Sequence, residues 1–185
     1  EFSRQSLIGR GRFGEVHKGM YFGDVAVKFL NMDHVDEGKQ LEAFKQEAAS
    51  FKNTRHENIV LFMGYCMDHQ KLGIVMNWCK GKTLHSILHQ SRERLDFNRV
   101  VQYATQICQG VSYLHTKHIL HKDLRTKNVF IEPNNKVVIT DFGLFSMRRL
   151  CRLQENQDEC KTLFVPEFWL CYLAPEIMQR LTSKR

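Results

Sequence analysis

No apolar run in this 185-residue sequence approaches the roughly 18 residues that a membrane-spanning helix needs. The N-terminal residues also lack the apolar core of a secretory signal. None of the six cysteines (Cys66, Cys79, Cys108, Cys151, Cys160, Cys171) belongs to a C-x-x-C pair. Several sit in apolar stretches where a thiol behaves as a small hydrophobe, which points to reduced thiols in the cytosol rather than a disulfide scaffold. The nine histidines show no metal-ligand clustering, which argues against a zinc site. Lys and Arg are scattered, with denser patches only at Met147 to Arg152 and at Lys184-Arg185. The net charge of +7 therefore suits nucleotide phosphates, acidic partners or an anionic membrane surface better than a nucleic-acid track.

What is present fits one ordinary domain with room for two lobes, since 43% of the residues are hydrophobic. The most informative stretch is His121-Lys122-Asp123-Leu124-Arg125-Thr126-Lys127-Asn128, followed by Asp141-Phe142-Gly143. An Asp with an Asn five residues later means little alone. Joined to Asp-Phe-Gly, with Val137-Val138-Ile139-Thr140 reading as the strand that delivers it, it is very close to the pattern H-R-D-L-x-x-x-N followed by D-F-G. Phosphoryl transfer needs an aimed acceptor hydroxyl and metal to neutralise the moving charge. Asp123 would accept the hydroxyl proton, and Asn128 and Asp141 would hold Mg²⁺.

Residues 7 to 29 read as three strands, with Gly9-Arg10-Gly11-Arg12-Phe13-Gly14 between the first two. A G-x-G-x-x-G also marks dinucleotide-binding folds, but there the glycines open a helix. Val16 and the polar alternation around it favour a hairpin lid, and an ordinary Gly-rich hairpin stays open as the alternative. Val25-Ala26-Val27-Lys28 fits V-A-I-K, whose lysine pairs with nucleotide phosphates and a helix glutamate. Leu41, Phe44, Ala48 and Phe51 have helical spacing, and that helix offers Glu47, with Glu42 as the rival. Asn58 to Met63 and Leu72 to Met76 read as buried strands, and Asn77 to Gly81 as a connector. Met76 would back an adenine pocket, and backbone groups near Trp78 and Cys79 would bond the purine. Trp78 serves equally well as plain packing.

Thr83 to Gln90 predicts a short helix. Val100, Val101, Ala104, Ile107, Cys108, Val111 and Leu114 give a helix from Phe97 to Leu114 a single apolar stripe. Val129 to Ile131, the turn Pro133-Asn134-Asn135 and Lys136 to Thr140 form a hairpin. A long, basic, irregular segment after Gly143 carries Ser146 and Thr162 as candidate phosphosites. It ends at Ala174-Pro175-Glu176.

In order and over nearly the whole chain, these motifs resemble a eukaryotic protein kinase domain. Phe51 to Gly64 and the pair Trp78-Cys79 look Raf-like. His121 to Leu124, Lys127 to Phe130, Lys136 to Phe145 and Trp169 to Glu176 are similar to kinase suppressor of Ras, the Raf-related pseudokinase scaffold family. The resemblance implies an α+β, bilobal protein-kinase-like fold. Its β-rich N-lobe would span residues 1–76, the hinge 77–81, and a helical C-lobe 82–185, truncated after the Ala-Pro-Glu motif. It implies ATP and Mg²⁺ as ligands, with Ile8, Gly9, Gly11, Phe13, Gly14, Val16, Ala26, Lys28, Met76, Trp78, Cys79 and Phe130 around the nucleotide. The family's spacing selects Glu47 as the partner of Lys28. Phe51, Phe62, His121 and Phe142 would form the regulatory spine. Arg55 would sit in a side-to-side dimer interface with a Raf-family kinase, and a MAP kinase kinase would dock on the C-lobe. A cytoplasmic protein follows, with no nucleic-acid partner and with any membrane recruitment supplied by domains outside this chain.

Two departures shape the expected activity. Lys122 replaces the Arg that braces a phosphorylated activation segment, and an ammonium does not reproduce bidentate guanidinium contacts. Arg125 stands where serine/threonine kinases usually carry a Lys near the γ-phosphate. The expectation is an ATP-binding scaffold and allosteric partner with weak or no phosphotransfer. The alternatives are a low-turnover serine/threonine kinase and, more remotely, a nucleotide-independent adaptor. With no further C-lobe helices to cover it, the 97–114 stripe is expected to be exposed and the isolated chain poorly stable.

Overall fold

The computed structural model describes residues 6–11, 14–30, 45, 48–49, 51–68, 71–91, 94–141 and 171–182. The expectations placed on Phe13, Glu47, Phe142, Gly143, Ser146 and Thr162 lie outside the described residues. Residues 1–152 form one compact unit and residues 153–185 another.

The first unit begins with an antiparallel sheet of five strands: β1 (Ser6–Gly11), β2 (Gly14–Met20), β3 (Asp24–Leu30), β4 (Phe62–Asp68) and β5 (Lys71–Asn77), in the order β1-β2-β3-β5-β4. Central strand β3 alternates as its sequence demands. Val25, Val27 and Phe29 pack with Val75 in a buried cluster on one face, and Ala26 and Lys28 occupy the other. Gly14 is fixed by the close approach of β3. Its φ is +132°, and a Cβ there would stand 1.8 Å from the Phe29 carbonyl oxygen.

The apolar run Asn58 to Met63 divides where one buried strand was expected. Asn58, Ile59 and Val60 are buried but precede β4. They cross to the second sheet, where the Val60 N–H donates to the Ile139 carbonyl at 2.9 Å and the Ile139 N–H to the Asn58 carbonyl at 2.8 Å. Strand β4 is a sheet edge, and Leu61, Met63, Tyr65 and Met67 lie exposed along it. A continuous apolar run carries no period that would reveal such a change of role.

The second sheet has the order β6 (Lys82–Thr83), β7 (Val129–Glu132), β8 (Lys136–Ile139). Helix α1 (Leu84–His89) is capped by Thr83, whose hydroxyl accepts from the Ser86 N–H at 3.1 Å. Helix α2 (Phe97–Thr116) is capped by Asp96, which accepts from the Arg99 N–H at 2.7 Å. Leu84, Tyr103, Val129, Ile131 and Val137 form the core between helices and sheet.

The apolar stripe of α2, expected to be exposed, is so at four of its seven positions, while Tyr103 and Gly110 outside it turn inward. Tyr103, Gly110 and Leu114 are buried, whereas Val100, Val101, Ala104 and Cys108 are exposed. Polar side chains explain the inward turn. Gln106 Oε1 accepts from the Val137 N–H at 2.9 Å and from Asn58 Nδ2 at 3.0 Å, while its Nε2 donates to the Asn135 carbonyl at 2.9 Å. Gly110 lets α2 ride close over β8, since a Cβ there would meet Ile139 Cδ1 at 2.9 Å.

In the second unit, α3 (Pro175–Thr182) starts with Pro175 and carries Glu176 in its first turn, both favourable at a helix N-terminus. No helix among the described residues is long and apolar enough to cross a membrane.

Asn58 joins three elements. Besides its bond to Gln106, its Nδ2 donates to the Val137 carbonyl at 2.9 Å. Asn58→Ala removes both donors from buried acceptors and is expected to cost about 2–4 kcal/mol in chemical denaturation. Asn134→Gly, at an exposed position with φ of 63°, is expected to stay within about 0.5 kcal/mol of the parent. Equal effects of the two substitutions would contradict this account of Asn58.

Candidate active site

Strand register builds one wall of a cleft. Val16 pairs with Lys28 and Lys18 with Ala26 across β2 and β3; Ala26 faces Met76 across β3 and β5. Directly paired residues share a face, so Val16, Ala26, Lys28 and Met76 converge. With Ile8, Gly9, Trp78, Cys79 and Phe130 they line a cavity of about 360 Å³. Val60, Asn77, Lys127, Thr140 and Asp141 complete its walls. Gly9 leaves open space, and a Cβ there would meet nothing within 4 Å. Gly11 and Gly14 pair with each other at the closed end of the β1–β2 hairpin, and Gly14 is not among the described lining residues. Val60 and Thr140 escaped sequence reasoning because they sit in apolar runs with no polar signal. Lys127 sat inside the recognised loop, but nothing in its spacing pointed it at the cavity.

The polar end of the cavity is made by a part-buried ion pair. Lys28 Nζ lies 2.6 Å from Asp141 Oδ2, and Lys28 is only 6% exposed. Asp141 follows β8 with a φ of 62°, in the left-handed region that non-glycine residues rarely occupy. Lys122 has a φ of 63° and an exposed side chain. Each such conformation costs about 1–3 kcal/mol, and Asp141 is the one that lines the cleft.

Asn128 closes the loop between them. Its Nδ2 donates to the Asp123 carbonyl at 2.8 Å and to Asp123 Oδ2 at 2.9 Å. Its own carbonyl accepts from the Thr140 N–H at 2.9 Å. Arg125 Nε stands 3.2 Å from Asp123 Oδ1, so both carboxylate oxygens of Asp123 face cationic or amide nitrogens. Burial raises the Asp123 carboxyl above its ordinary pKa, opposed by Arg125 and the Asn128 hydrogen bond.

His121 is buried, and its two ring nitrogens have different tasks. Nδ1 accepts from the Asp123 N–H at 3.2 Å, which leaves Nε2 to carry the proton and donate to the Thr140 carbonyl at 2.8 Å. Burial lowers its pKa, so the neutral ring is the structural one. Phe51 and Phe62, expected to stack with it, meet edge to face at 6.4 Å between centroids. Cys79 is driven the other way. Burial, then the charges of Glu132 and Asp141, push its thiol up to about 12, so it is a protonated hydrophobe at the cavity wall. Arg55 is exposed, and its backbone N–H donates to the Tyr113 hydroxyl oxygen at 2.8 Å.

The profile of protein tyrosine and serine/threonine kinases matches residues 2–184. The chain belongs to the protein kinase family. It is 49% identical to Kinase suppressor of Ras A of Caenorhabditis elegans, over 100% of this chain and 24% of that protein. It is 47% identical to Kinase suppressor of Ras 2 of Homo sapiens, over 95% of this chain and 18% of that protein. Kinase suppressor of Ras B of C. elegans is 44% identical over 94% of this chain and 32% of that protein. This kinase domain thus has kinase suppressor of Ras homologues across nearly all its length, and spans between 18% and 32% of theirs.

Protein kinases as a family use ATP and Mg²⁺, and the donor set fits that metal. Mg²⁺ binds through one or two carboxylates together with phosphates and water, not through an all-protein cage. Asp141 offers hard oxygen donors in the cavity lining, Asn128 is buried behind it with its Nδ2 on Asp123, and no cluster of three His, Cys, Asp or Glu occurs among the described residues.

The His121 pKa has a testable consequence. Because its folded value lies below the unfolded one of about 6.5, the unfolded chain binds the extra proton and stability falls as pH drops through that value. Denaturation midpoints are expected to decline between pH 7 and pH 5, and less steeply in His121→Gln. Identical slopes in the two proteins would contradict the neutral, doubly bonded imidazole.

Proposed function

We propose that this domain binds ATP with Mg²⁺ in the cleft and acts mainly as a pseudokinase scaffold and allosteric partner in Ras–Raf–MAP kinase signalling. The observation that carries the reading is the apolar cavity ending on the Lys28–Asp141 pair. Ala26, Val16, Met76 and Phe130 supply apolar walls for a purine, and Trp78 and Cys79 supply the backbone edge. Lys28 would meet phosphate, and Asp141 and Asn128 would hold the metal. When bound, Mg²⁺ would neutralise phosphate charge and bridge phosphate oxygens.

Lys122 and the likeness to kinase suppressor of Ras support weak phosphotransfer. Asp123 would act as the base, with Asn128 on one oxygen and Arg125 near the other, and each oxygen keeps an acceptor site for a hydroxyl proton. Lys122 lacks the bidentate guanidinium that would hold a phosphorylated activation segment. The exposed Arg55 suits a side-to-side contact with a Raf-family kinase, and a MAP kinase kinase would dock on the helical part.

The second reading is a low-turnover serine/threonine kinase, below the roughly 1–100 s⁻¹ usual for kinases. The raised pKa of Asp123 favours it, since a more basic carboxylate is the better proton acceptor. The deciding experiment is phosphate transfer from labelled ATP to purified MAP kinase kinase, with Asp123→Asn alongside. No incorporation above the mutant, with ATP bound by the parent, is the expected result. Incorporation that vanishes in Asp123→Asn would make the protein an enzyme and overturn the scaffold reading.

A further inference from the structure

Trp78 lines the cavity at its connector side and is half-buried, so packing alone does not fix its ring. Two contacts from the β2–β3 hairpin hold it. Its backbone N–H donates to the Asp24 carbonyl at 3.3 Å. The Lys18 ammonium stands 5.1 Å from the ring centroid and is itself held by Asp24 Oδ2 at 2.9 Å. Lys18 lies directly opposite Ala26, and Val16 two residues earlier on the same face lines the cavity. The ammonium therefore sits at the rim of the cleft and reaches the Trp78 face from the cleft side of the sheet.

We infer that Lys18 is a positioning residue for the nucleotide site: it clamps the Trp78 indole at the rim, with Asp24 as its anchor. The inference rests on the reading of the cleft as an ATP site. Lys18 itself has no need to touch the nucleotide. A cation within about 6 Å of an indole face is attracted to its negative quadrupole, more strongly where water is partly excluded. The carboxylate on its other side favours the same ammonium position, so the two attractions act together.

The sequence holds two tryptophans, so replacing Trp169 by Phe makes Trp78 the sole indole reporter. In that background Lys18→Met keeps the aliphatic stem and removes the charge, while Lys18→Arg keeps a cation that stacks on aromatic faces. Lys18→Met is expected to red-shift Trp78 emission, to raise its quenching by acrylamide, and to weaken ATP binding about two- to fivefold, the range a half-exposed cation–π contact supplies. Lys18→Arg is expected to restore all three, and Asp24→Asn to reproduce the Met phenotype in part. Unchanged emission and affinity in Lys18→Met, or failure of Lys18→Arg to rescue, would overturn the clamp. Absence of ATP binding by the parent, with emission still responding to Lys18→Met, would instead sink the cleft reading and leave the indole clamp standing without its nucleotide role.

Discussion

A lysine on β3 and an aspartate after β8 meet 2.6 Å apart in a nearly buried setting, and much of the cleft is arranged around that contact. Removing one partner of such a part-buried pair is destabilising, because it takes an opposite charge away from a largely desolvated group. The two groups come from different sheets, so the pair ties the five-stranded sheet to the end of the three-stranded one. A bare polyanion entering beside Asp141 would meet a like charge already satisfied by Lys28, whereas an anion carrying a divalent cation brings its own neutralisation.

Around that pair, the loop from His121 to Asn128 is rigid for reasons that are local and polar. Neutral His121 bonds in two directions, Asn128 spans the loop from Asp123, and Thr140 returns to the Asn128 carbonyl. The same links that order the loop engage Asp123. A carboxylate flanked by an amide and a guanidinium is held in one orientation on the loop.

Much of this was legible in the chain. Val25-Ala26-Val27-Lys28 announced both a strand and its inward lysine, because alternation puts Ala26 and Lys28 on one face. The β7–β8 hairpin followed from its Pro-Asn-Asn turn, and the helix over Phe97–Thr116 from its apolar recurrence. The inward face of that helix was not legible. Tyr103 and Gln106 turn to the sheet because strand β8 and Asn135 present polar groups to them, a tertiary fact no helical period encodes. The division of Asn58 to Met63 into a buried crossing and an exposed edge was hidden for the same reason. The Lys28–Asp141 contact was equally invisible, since 113 residues separate its partners and the motif names a glutamate for the lysine.

The most direct measurement is calorimetric titration of ATP into the protein with and without Mg²⁺, beside the Asp141→Asn variant. The account requires saturable binding that depends on Mg²⁺ in the parent and loses that dependence when Asp141 is neutralised. Binding of equal strength in all conditions would show that the Lys28–Asp141 pair does not govern the cleft, and no binding at all would remove ATP from it.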